Sequence, residues 1–164
     1  MKKKIRPNWK IIIAESIGII FLIHGVSRLH KSYYSDIWKA LLESDSEKLK
    51  SLPEISIGDF LFESIMFEFY VLIASVVILL LIKWKMKLPL INTVLSLTLV
   101  FLLFPIGFFK IDFITSLFNS IGGIFTNEFG FSFLISGLLL TLIGLAILWK
   151  GIKKIKTTHN NVYN

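Results

Sequence analysis

A chain of 164 residues in which 54% are hydrophobic and 15 are Phe is too apolar for a soluble domain and too short for more than one helical bundle. The formal charge of +7 does not indicate a nucleic-acid binder, because the basic residues gather at the ends of apolar runs instead of spreading over one face. The absence of Cys excludes disulfides, thiolate metal sites, thiol redox chemistry and S-palmitoylation.

The first apolar run, Trp9 to His30, carries three ionisable groups, Glu15, His24 and Arg28. About twenty apolar residues cross the roughly 30 Å hydrocarbon core. Each charged group held within such a run costs at least about 2.5 kcal/mol on insertion scales, so these three require partners or a wet pocket. Lys2, Lys3, Lys4, Arg6 and Lys10 precede the run, which is long and has no small-x-small cleavage site. It reads as an uncleaved signal anchor.

From Lys31 to Asp59 six acidic residues stand against four lysines. Ile37, Trp38, Leu41 and Leu42 fall at helical spacing there, which predicts a short amphipathic helix on the outer surface. Pro53 and Gly58 are expected to break the chain before a second span over about 60–82, with Glu63 and Glu68 in its outer half. Lys83, Lys85 and Lys87 then form a tight inner turn into a third span over about 88–109, polar at Asn92, Thr93, Ser96 and Thr98 and kinked near Pro105. From Phe113 to Phe125 the apolar residues Phe113, Ile114, Leu117, Phe118, Ile121 and Phe125 recur at helical spacing, interrupted by Gly122-Gly123, and at about thirteen residues they predict an interfacial or re-entrant helix too short to span. A fourth span over about 131–149 carries Gly137, Thr141 and Gly144, small residues that allow close helix contact.

Together these features predict an all-α membrane protein, an antiparallel four-transmembrane-helix bundle with short outer amphipathic helices. Residues 1–156 form its single domain and 157–164 a disordered tail. Lysines flank the spans at both termini and in the middle loop, so the positive-inside rule puts both termini in the cytoplasm and the chain in an inner (plasma) membrane.

Counted from the outer ends of the first two spans, Arg28 and Glu63 lie at one depth and His24 and Glu68 about a turn deeper, so the pairs Arg28–Glu63 and His24–Glu68 are expected. Glu63 and Glu68 point about 140° apart, so one pair should be better than the other. The four residues form either helix glue or an outward polar pocket in which His24 titrates. Glu15 lies on the opposite face of its helix from His24 and is a candidate proton or cation site, or else a structural carboxylate. Asn92, Thr93 and Ser96 could hydrogen-bond it, and Lys10 or Lys83 could reach it. No catalytic or metal-ligating pattern is present, and no cofactor is expected from the residues themselves.

The segment GIIFLIHGVSRL, Gly18 to Leu29, resembles the first helix of DoxX-like membrane proteins, which read G-x-x-F-L-x-x-G-x-x-K-L. Glu68 looks like the acidic residue opening that family's second helix, and Asn127-Glu128 is similar to the motif before its fourth. Arg28 stands where Lys is usual, and the Ala14-Glu15 region replaces an Arg. The resemblance implies a non-catalytic four-helix membrane subunit or accessory protein, with a quinone entering only through the family's oxidoreductase association. Its partners would be the lipid bilayer and another membrane or periplasmic protein, or further copies of itself. The alternative from the residues alone is a small proton-linked transporter or pore, in which Glu15 exchanges protons or cations and His24, Arg28, Glu63 and Glu68 form the outer gate. AESIG, Ala14 to Gly18, also looks like the proton-coupling segment of small multidrug transporters.

Overall fold

The computed structural model describes residues 7–51, 56–103 and 112–163. Its elements are helices throughout: α1 (Trp9–Tyr33), α2 (Ser35–Leu42), α3 (Ser46–Ser51), α4 (Ile57–Lys85), α5 (Ile91–Leu103), α6 (Asp112–Gly123) and α7 (Phe129–Tyr163). Among the described residues α1, α4 and the Phe129–Lys153 part of α7 are long and apolar enough to cross a membrane. The third predicted span is shorter than expected in its described part, where the helix covers Ile91–Leu103. Pro89 and the turn before it hold residues 88–90 out of α5, which starts at Ile91. Residues 104–109 and the expected Pro105 kink lie outside the described residues, as does Pro53.

Helix ends follow local chemistry. The Asn8 side chain caps α1 by accepting from the backbone N–H groups of Lys10 (3.1 Å) and Ile11 (3.4 Å). At the far end of α4, Leu88 N–H donates to the Lys83 carbonyl (2.9 Å) and Lys87 N–H to the Trp84 carbonyl (3.0 Å). This is a Schellman closure, and it puts Lys87 in the left-handed region at φ 53°. Gly58, expected to break the chain, instead lies in the first turn of α4. Nor is the C-terminal stretch irregular: no Gly or Pro follows Gly151 to stop the helix, and α7 runs on to Tyr163.

The core forms around α1, which packs against α4, α5 and α7. Ile19, Leu22 and Ile23 of α1 meet Leu72, Val76 and Leu79 of α4, Val100 of α5 and Leu148 and Ile152 of α7. The α1–α7 seam is the closest. A Cβ on Gly25 would come within 2.5 Å of the Thr141 nitrogen and 2.9 Å of the Gly137 oxygen, and one on Gly144 within 2.9 Å of the Gly18 oxygen. Gly18 and Gly25 therefore face Gly144 and Gly137 along two antiparallel helices, where only glycine lets the backbones touch. Contacts also run antiparallel between α1 and α4, from Glu15 with Lys83 to Tyr34 with Phe60. Between α1 and α5 they run parallel, from Asn8 with Asn92 to Ser16 with Ser96.

Candidate functional site

Each face of α1 presents a different polar group to a different neighbour, because successive helical residues are about 100° apart. Nearer its N-terminus, Glu15 is 1% exposed and faces the junction of α4 and α5. The Lys83 ammonium, with no exposed surface at all, donates to Glu15 Oε1 and also to Thr93 Oγ1 at 2.5 Å. Thr93 Oγ1 in turn donates to Glu15 Oε2 at 2.9 Å, which closes a three-membered ring of hydrogen bonds across three helices. Ser96 Oγ lies 3.4 Å from the same carboxylate oxygen and nearer to the carbonyls of Asn92 (2.8 Å) and Ile12 (3.1 Å). Asn92 Oδ1 accepts from the Asn8 backbone at 2.9 Å, so it fixes the start of α1 and is not a Glu15 ligand.

Lys83 was expected just beyond its span. Instead α4 extends to Lys85, and this extra turn carries Lys83 inward onto α1. A carboxylate and an ammonium held this close, with a threonine satisfying both, form an internally neutralised pair.

Further along α1 one expected pairing is replaced by other contacts. Ser27 Oγ donates to Glu68 Oε1 at 2.5 Å, so Ser27 occupies the face turned to α4. Arg28, one residue on, is thereby directed away from α4 and into the groove between α6 and α7. There Nε donates to Ser136 Oγ (2.6 Å), Nη1 donates to Asn119 Oδ1 (2.9 Å), and the guanidinium lies over the Phe133 ring with Cζ 4.2 Å from its centroid. The Arg28–Glu63 pair does not form. Glu63 is exposed on α4, and among the described residues no carboxylate lies within ion-pair distance of Arg28. His24 shares the Arg28 face, as its i, i+4 spacing requires, and its ring lies 5.1 Å from that of Phe118 on α6.

Comparison with protein-family models, with curated proteins and with solved structures returns no match. Of the residues singled out in the sequence, Glu68 reaches α1 through Ser27, His24 and Arg28 converge on α6, and Glu63 stands apart. Asn119 and Ser136 were not anticipated as partners of Arg28. The signal available was their polarity within otherwise apolar helical runs, but nothing in the spacing linked either to α1. Near this end of the molecule Asn127 and Glu128, with Lys39 of α2 and Glu43 at its C-cap, line an open recess of about 510 Å³ whose wall includes Phe133.

Proposed function

We propose that this chain is an integral membrane protein of four antiparallel spans, with α5 belonging to the third, expected over about 88–109, and that it serves as a non-catalytic membrane subunit or accessory protein. The observation that carries the reading is the closed Glu15–Lys83–Thr93 ring. Each ionisable member is satisfied by another and has almost no exposed surface, so the groups are engaged in holding α1, α4 and α5 together.

A transporter would need Glu15 to release and rebind a proton or cation against an accessible path. Here the Lys83 ammonium already occupies the position such a cation would take, which favours the structural role. The residue resemblance to DoxX-like proteins points the same way, toward a helical scaffold that acts through contacts with a partner. Both termini face the cytoplasmic side of an inner membrane in this reading, as the lysine distribution favours.

The test is a pair of measurements on the full chain. Extraction in mild detergent should yield a complex with a second protein in fixed stoichiometry, and the purified chain in sealed vesicles should show no proton-dependent flux. A monodisperse lone chain with flux that is abolished by Glu15→Gln overturns the reading.

A further inference from the structure

The lysine-bearing end of α4 combines features that match an amphiphile. Ile73, Val77, Leu81 and Trp84 recur at four, four and three residues, and all four are outward and exposed, at 46%, 47%, 54% and 72%. A recess of about 360 Å³ lies along Val77, Leu81, Trp84 and Leu90. It shares Leu81 and Trp84 with a second recess of about 630 Å³ that ends on Lys85 and Lys87. An apolar trough, about 12 Å long from Val77 to Lys85, therefore leads to two ammonium groups past an indole at the position of an interfacial anchor.

The charge around it is one-sided. No acidic residue occurs between Glu68 and Asp112, and the carboxylate nearest this end, Glu15, is already taken by Lys83. Lys85 and Lys87 make no ion pair among the described residues. Lys87 also occupies the left-handed C′ position that closes α4, at φ 53°, where glycine is the residue the backbone favours. A strained backbone at a helix end is better explained when its side chain has a task.

We propose that this trough is a selective site for an anionic phospholipid, whose phosphate-bearing headgroup is held by Lys85 and Lys87 and whose acyl chain lies along Trp84, Leu81 and Val77. The apolar length selects a lipid over a free anion, and the unanswered lysines select an anionic headgroup over a zwitterionic one. The proposal rests on the membrane reading above and adds a ligand to it.

The full chain with Trp9, Trp38 and Trp149 replaced by Phe, leaving Trp84 as the reporter, is reconstituted into phosphatidylcholine vesicles containing a few per cent of either brominated phosphatidylglycerol or brominated phosphatidylcholine. Bromine quenches only an indole it touches. Phosphatidylglycerol is expected to quench Trp84 saturably and at a much lower mole fraction than phosphatidylcholine. Neutralising one lysine, in Lys85→Gln, should weaken that preference about fivefold, and Lys85→Gln with Lys87→Gln should largely erase it. Lys87→Gly should separate the two roles of that residue, weakening lipid preference about fivefold while raising the unfolding temperature. Equal quenching by the two lipids, a preference that survives the double substitution, or displacement of the brominated lipid by millimolar inorganic phosphate overturns the proposal and leaves the membrane reading intact. No quenching by either lipid overturns both.

Discussion

An ammonium with no exposed surface must have its charge answered inside the protein, and for Lys83 the answer comes from Glu15 and Thr93. Removing one partner from such a pair leaves an uncompensated charge in a low-dielectric interior, at a cost of about 3–5 kcal/mol. Glu15→Gln and Lys83→Met are each expected to lose stability of that order, whereas the double substitution should lose far less than their sum. Thermal unfolding of the four proteins in one detergent measures the coupling, and strictly additive losses would show that the two charges do not depend on each other. Arg28 answers to a different geometry, since its planar fork reaches Ser136 and Asn119 at once while stacking on Phe133. Arg28→Lys keeps the charge but cannot span both acceptors, so a loss of about 1–3 kcal/mol is expected by the same measurement. The sequence revealed that Glu15, His24 and Arg28 needed partners, because an ionisable residue in an apolar run is conspicuous. It placed Thr93, Ser96 and Lys83 within reach of Glu15 through depth alone. It misdirected Arg28 because depth carries no information about rotation: Ser27 takes the α4 face, and the next residue must turn elsewhere.

At the level of whole helices, the α1–α7 seam depends on backbones that touch. A methyl group on Gly25 would meet the Thr141 nitrogen and the Gly137 oxygen, both held in a helix and neither able to move by itself. Gly25→Ala should therefore push the helices apart and lower stability by about 1–3 kcal/mol, although alanine has the better helix propensity. Gly123→Ala is the matched control, since a Cβ there meets nothing within 4 Å and the expected change is small. Unfolding midpoints of the two variants compare them directly; equal losses would remove close packing as the cause. The small residues of the 131–149 run were visible as a spacing pattern, but their partners were not. Gly18 and Gly25 repeat the same seven-residue interval on α1, and only the three-dimensional contact shows that the two intervals match in opposite directions. The amphipathic stretch at α6 was equally visible as a helix too short to span. Its use in bringing Phe118 and Asn119 onto α1 depends on the return of the chain after residue 111, which local periodicity does not encode.

Across the whole molecule these pairings give the protein two chemically distinct ends. Asn8 meets Asn92, Glu15 meets Lys83, and Gly18 meets Gly144 and Leu148, so the start of α1, the end of α4, the start of α5 and the later part of α7 lie together with their lysines. At the other end Tyr34 meets Phe60 edge-to-face with ring centroids 5.6 Å apart, Trp38 lies tilted against the same ring at 5.4 Å, and Ser32 donates to the Gly130 carbonyl at 2.8 Å. Between the two ends runs α1, whose 25 residues extend about 37 Å, more than the hydrocarbon thickness of a bilayer. Ser46, at the start of α3, follows the second end, and Thr157 follows the first along α7. Because the chain contains no Cys, a single cysteine at either position reports alone. In sealed cells a membrane-impermeant maleimide should reach the cysteine of Ser46→Cys directly, and that of Thr157→Cys only after the membrane is opened. Both reacting from the same side would mean that α1 does not cross the bilayer between them, and the two ends would then be two faces of one surface. The opposite pattern, with Thr157→Cys reached first, would keep the crossing helices and reverse only the orientation drawn from the lysines, because the contacts along α1 fix which residues share an end but not which side of the membrane that end occupies.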